Sequence, residues 1–162
     1  MPDERRDSTG DGAAPSARAA RGVTLLYLIK QVELAVRTHL DAAVASEGLT
    51  SLQYTALTVL DRHPGITSAV LARNSFVRPQ TMAQMITALL DKQLIERAVD
   101  PTNRRQMLLA LTPEGKRVLD RLAEPVAKIE WQMIRNLREG DVANLREDLE
   151  SCRRALSGSS SH

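Results

Sequence analysis

TSAVLARNSFVRPQTMAQMITALLDKQLIERAVDPTNRRQMLLAL, residues 67–111, reads as two helices followed closely by a hairpin. Thr67 is placed to N-cap a short helix running from Ser68 to about Arg73. A four-residue turn, Asn74-Ser75-Phe76-Val77, leads to a longer helix with Pro79 at its first position, where a missing N–H costs nothing. Met82, Met85, Ile86 and Leu89 give that helix an apolar face. Gln80, Thr81, Gln84 and Thr87 give it a small, uncharged polar face. The period then changes. Leu94 to Val99 reads as a strand, Asp100 to Asn103 as turn residues, and Met107 to Leu111 as a returning strand. A short helix, a tight turn and a second helix form a helix-turn-helix, and the hairpin behind it is a wing.

That order carries a chemistry. In such a module the second helix lies in the major groove, with the side chains near its N-terminus meeting base edges. Gln bonds adenine in a bidentate manner, and Thr bonds either way or touches a thymine methyl. Arg104 and Arg105, at the tip of the wing, have the reach for phosphates or a narrow minor groove, and carry charge at every accessible pH. From Arg73 to Arg105 the basic residues Arg73, Arg78, Lys92, Arg97, Arg104 and Arg105 face only Asp91, Glu96 and Asp100. Taken singly, a loop with two arginines or a helix with a polar face is ordinary solvated surface. The conjunction, in this order and at these lengths, selects duplex DNA.

Outward from this stretch the pattern is helical. Leu25, Ile29, Val32, Val36, Leu40 and Ala43 form the stripe of a long amphipathic helix that Gly48 ends. Thr50 with Gln53 makes a capping box, and Leu49 staples onto Tyr54, opening a helix through Leu60 that Pro64-Gly65 stops. On the far side, Thr112-Pro113-Glu114 starts a helix whose stripe of Val118, Leu122, Ile129 and Met133 passes an expected kink at Pro125. After Gly140, Val142, Leu145, Leu149, Cys152 and Leu156 repeat at three and four.

Composition narrows the classes. The 162 residues hold one domain, or one lobe with an oligomerisation element. Aromatics are 2%, which predicts an aliphatic core and argues against a base-stacking surface for single strands. The net charge of +2 gives no global basic field, so any such field is local. The single cysteine, Cys152, excludes an internal disulfide framework, and no stretch has membrane-spanning or signal-peptide character; a cytoplasmic location and no membrane partner are expected. Residues 1–22 are biased in composition and balanced in charge, and are expected to be a disordered tail, as is SGSSSH at 157–162.

LTSLQYTALTVL at 49–60, PGITSAVLA at 64–72 and VRPQTMAQMITALLDKQLIERAVDPTNRRQMLLALTPEG at 77–115, with the helices on both flanks, resemble the MarR family of winged-helix regulators. The resemblance covers roughly residues 23–156, and its most specific part is the wing and its exit, DPxxRR…LxLTxxG. It implies a mainly α fold with a small β-hairpin wing: a winged helix-turn-helix at 49–112 and a helical dimerisation lobe made from 23–48 and 113–156. It further implies a homodimer on a near-palindromic operator, commonly a repressor released by a small aromatic or phenolic ligand held between the lobes.

Two departures bear on the site. Where the family more often has Ser or Thr before the Pro of the recognition helix, Arg78 stands here. A side-chain cap worth about 1 kcal/mol is lost, and a cation is placed where a backbone phosphate lies. Where the wing usually has Asp two residues before its minor-groove Arg, Asn103 offers Arg105 only a neutral carbonyl; Asp100 is the alternative brace. The expected contacts are Gln80, Thr81, Gln84 and Thr87 in the major groove, Arg73 and Arg78 on the backbone, and Arg104 and Arg105 in the wing. For a ligand pocket, Tyr27, His39, Tyr54 and Trp131 are the candidates, though each is also an ordinary packing or interfacial residue.

Cys152 is read as a small buried hydrophobe on the last helical stripe rather than a redox sensor. His39, His63 and His162 lie too far apart in sequence to suggest a metal site, and no cofactor motif is present. No G-x-S-x-G, phosphate-binding Gly loop or Cys/His pairing points to an enzyme. The alternative to a sequence-reading regulator is a winged helix used for protein contacts without sequence-specific DNA binding.

Overall fold

The computed structural model describes residues 23–157. The order is α1 (Leu25–Val44), α2 (Ser51–Arg62), α3 (Ser68–Asn74), α4 (Pro79–Asp91), β1 (Ile95–Val99), β2 (Met107–Leu111), α5 (Pro113–Ile134) and α6 (Glu139–Ser157), with a single 3-10 turn at Ala45–Glu47. The fold is therefore mainly helical with a two-stranded antiparallel hairpin, as the periodicities predict. Several boundaries differ from expectation, α2 running to Arg62 and α6 starting at Glu139 among them. Asn74 belongs to α3, Leu94 precedes β1, and α6 extends to Ser157, one residue into the expected tail. The tails expected at 1–22 and 158–162 lie outside the described residues. α5 stays helical through Pro125.

Helix ends follow from local chemistry. The Thr50 hydroxyl accepts the Gln53 N–H at 3.2 Å while Gln53 Oε1 accepts the Thr50 N–H at 3.1 Å, completing the capping box. Thr67 caps α3 and Thr112 caps α5 in the same sense. Three helices close with one backbone motif, in which the residue after the cap turns left-handed and two amides return to the last-turn carbonyls. Gly48 serves this way at φ 64°, Phe76 at φ 56° and Gln93 at φ 58°. After α3, the Phe76 N–H donates to Arg73 O at 3.2 Å and the Val77 N–H to Ala72 O at 3.1 Å. Glycine fills such a position without steric cost; a side chain there costs about 1 kcal/mol or more.

The compact unit spanning residues 36–157 holds an aliphatic core. Leu57, Leu60, Leu71, Met82, Leu89 and Leu122 are its largest fully buried side chains. Each contributes about 1.5–3 kcal/mol through burial. The core draws together α2, α3, α4, the hairpin and the first half of α5. In the hairpin, Ile95 pairs with Leu111 and Val99 with Met107. The free edge of β2 is covered by Ile66, whose carbonyl accepts the Leu109 N–H at 2.8 Å, while Leu109 O accepts the Gly65 N–H at 2.9 Å. Pro64-Gly65, expected only to stop α2, thus delivers a single bridging residue, Ile66, against the edge of β2.

The outer helices keep their apolar stripes uncovered. In the part of α1 before residue 36, Leu25, Leu26, Tyr27, Leu28, Ile29 and Val32 are exposed. Within residues 36–157, the later half of α5 and all of α6 expose Trp131, Met133, Leu149 and Leu156. Cys152 is exposed, contrary to expectation. Its stripe is apolar, but among the described residues of α6 none is buried in a single chain.

Candidate nucleic-acid interface

α4 is oriented by what it buries. Met82, Met85 and Leu89 enter the core, which turns Gln80, Gln84 and Thr87 outward and leaves Thr81 half-buried at the edge of the same face. The Thr87 hydroxyl donates to Ala83 O at 3.2 Å, so this side chain presents a methyl and an acceptor to an incoming ligand. The face holds no charge. Sequence specificity at such a surface comes from amide and hydroxyl geometry, with cations at its borders positioning the duplex.

The borders carry those cations. Arg78 is the N-cap of α4 and makes no side-chain cap bond, leaving the first-turn amides of the helix uncapped. Arg73 lies in the last turn of α3. Both are exposed, and among the described residues neither guanidinium has an ion-pair or hydrogen-bond partner.

The wing tip is built from its turn residues. Asp100 N–H donates to Gln106 O at 2.9 Å, closing the loop. The Asp100 carboxylate accepts the Thr102 hydroxyl and the Thr102 N–H, each at 2.7 Å, which holds its pKa below the ordinary value. Asn103 Oδ1 accepts the Arg105 backbone N–H at 3.2 Å, and its amide donates to Gln106 Oε1 at 3.3 Å. Asp100 and Asn103 thus support the backbone of the loop and not the guanidinium of Arg105. In the free chain the Asp100 carboxylate is engaged by Thr102, and Asn103 reaches Arg105 through its backbone N–H. Arg104 and Arg105 are exposed and, among the described residues, unpaired.

Between α4 and the wing lies an open groove of about 260 Å³, walled by Ala83, Ile86, Leu90 and Leu109 and edged by Thr87 and Arg97. A second, of about 200 Å³, runs between α5 and α6 along Met133, Ile134, Val142, Leu145 and Leu149. Neither is lined by Tyr27, His39, Tyr54 or Trp131. Tyr54 packs against the core, and its burial raises the phenol pKa. His39 is exposed on α1. Trp131 is exposed on α5 beneath the Arg135 guanidinium, 5.7 Å from the ring centroid. Tyr27 lies on the part of α1 that forms a separate unit.

Among the described residues no group of three or more His, Cys, Asp or Glu converges as a metal would need, and no helix is long and apolar enough to cross a membrane. Two contributors escaped the sequence-based expectations. Ile66 carries no strand periodicity, because one bridge is too short to show any. Phe76 occupies a turn position where glycine is the usual residue, and that substitution was a visible signal.

The sequence profile of the MarR family matches residues 47–106, which run from the turn before α2 to the wing tip. The HTH-type transcriptional repressor Rv2887 of Mycobacterium tuberculosis is 33% identical over 102 residues, which span 63% of this chain and 73% of that protein. The chain belongs to the MarR family. A crystal structure of Rv2887 in complex with salicylic acid superposes with a TM-score of 0.67 at 27% identity, covering 82% of this chain and 98% of that one. The repressor CouR of Rhodococcus jostii RHA1, bound to a 23-mer DNA duplex, superposes with a TM-score of 0.68 at 28% identity, covering 83% and 92%. As a MarR-family member the chain is a transcriptional regulator with a winged-helix DNA-binding fold, in a family of regulators rather than enzymes.

Proposed function

We propose that the protein acts as a homodimer that reads a near-palindromic operator on duplex DNA and represses until a small ligand releases it. The observation that carries this reading is the uncharged polar face of α4 together with exposed, unpaired cations on the elements that flank it in the chain, Arg73 and Arg78 before it and the wing arginines after it. Gln80, Thr81, Gln84 and Thr87 read major-groove edges, Arg73 and Arg78 seat on phosphates, and Arg105, with Arg104, enters the minor groove. The exposed apolar residues of α1, and separately those of α5 and α6, support dimerisation, since a run of exposed large apolar side chains marks an interaction site. A C2 dimer sets its two recognition helices about one DNA turn apart, roughly 34 Å.

Release by an aromatic or phenolic ligand is supported by the groove between α4 and the wing. Its apolar walls fit a ring and its Arg97 suits an acid group, at a place where occupancy alters the recognition surface itself. His39, Tyr54 and Trp131 remain candidates for a second site completed by the partner subunit, and Tyr27 remains a candidate ligand contact by itself. Fluorescence anisotropy against the duplex upstream of the protein's own coding region, with a scrambled duplex and a salt series beside it, tests the proposal. Tight, salt-dependent preference for the native duplex is expected. Equal and weak binding to both would favour a winged helix used for protein contacts.

A further inference from the structure

Phe76 is the most exposed large hydrophobic side chain among the described residues, at 83%. It stands between α3 and α4, in the turn that leads into the recognition helix, on a left-handed backbone at φ 56°. Its own backbone completes the α3 end through the bonds from Phe76 and Val77 to Arg73 and Ala72. Those bonds use no side-chain atom, so glycine would close the helix equally well and without steric cost. The ring is therefore not explained by the fold. Arg73, three residues before it, and Arg78, two residues after it, are both exposed with no partner among the described residues.

We infer that the Phe76 ring is a DNA-contacting residue, seated on the deoxyribose face of the strand that borders the major groove, between the phosphates held by Arg73 and Arg78. The inference rests on the DNA-binding reading above and adds to it an apolar anchor. Deoxyribose is the apolar part of the duplex backbone. A ring placed two residues before the N-cap of a helix inserted in the groove meets that backbone and not a base edge. Contacts of this kind fix register without carrying sequence information, so the ring serves every operator equally. Because it neutralises no phosphate, it releases no counterion.

The test uses the full-length protein and the duplex from upstream of its coding region, comparing Phe76→Gly, Phe76→Tyr and the wild type across a salt series, with thermal melting of each. Phe76→Gly is expected to melt no lower than the wild type yet bind about tenfold more weakly, the effect of losing roughly half a phenyl ring's burial. The slope of log K against log salt stays unchanged, and Phe76→Tyr binds as the wild type does. Wild-type affinity in Phe76→Gly, or a lowered melting temperature, overturns the inference while leaving the DNA-binding reading intact. A wild type that does not prefer the native duplex overturns the reading itself, and the inference with it.

Discussion

Arg121 grips the Glu47 carboxylate at two points, Nε to Oε1 at 2.8 Å and Nη2 to Oε2 at 2.9 Å, while the same Nη2 reaches Glu114 Oε1 at 3.1 Å. Glu47 lies in the turn between α1 and α2, and Arg121 lies on α5. The contact therefore joins the two ends of the winged module, where the chain enters it and where it leaves.

This pairing makes stability depend on pH. The hydrogen bonds from Arg121 hold the Glu47 carboxyl below its ordinary value of 4.5. A carboxyl with a depressed folded-state pKa contributes stability that is fully present above 4.5 and lost as pH falls through the folded value. Glu47→Gln should melt below the wild type at neutral pH, and the gap should close as the solution is acidified below 4.5. Melting temperatures of both proteins over an acid series check this; a gap constant with pH would show the carboxylate to be idle.

Gly115 has no room for a side chain. It is the third residue of α5, its N–H donates to the Thr112 hydroxyl at 3.0 Å, and a Cβ there would collide with the Leu94 carbonyl oxygen. Gly115→Ala should destabilise the protein by about 1–3 kcal/mol through overpacking against backbone. Urea unfolding measures it, and a change within error would mean that the junction between β2 and α5 yields freely.

The Ser75 hydroxyl is buried and meets no hydrogen-bond partner among the described residues. Removing an unsatisfied buried hydroxyl relieves a desolvation penalty of about 1–3 kcal/mol, offset in part by lost packing. Ser75→Ala is expected to raise the midpoint of chemical denaturation. A lowered midpoint would instead reveal a water or partner that satisfies the oxygen.

Gln84 is exposed at the centre of the α4 face. Gln84→Ala should relax base preference at one position per half-site, at a cost of about 1–3 kcal/mol. Binding to a panel of single-base operator variants reads this out, and equal loss on every sequence would assign Gln84 to the backbone instead.

Arg105 is held by its backbone only, through the Asn103 side chain. Arg105→Ala should weaken binding and reduce the salt slope by about one ion. This contrasts with the unchanged slope expected of Phe76→Gly, and together the two variants separate charged from apolar contacts on the same duplex. Unchanged affinity and slope would leave the wing without a role in binding.

The sequence by itself determined the element order, the caps and the polarity of each helix face. All of these follow from interactions within a few residues: Thr50 with Gln53, Pro79 at a helix start, the alternation of β2. It also located the two-arginine wing and the family resemblance, because motif and spacing are local. Tertiary structure decided the rest. Ile66 forms a bridge only by meeting Leu109, Gly115 lacks room for a side chain only because Leu94 passes over it, and the Asp100 carboxylate accepts from Thr102. Cys152 followed its stripe, but the stripe has nothing to pack against in one chain. Periodicity states which face of a helix is apolar; only the assembled neighbours state whether that face is covered.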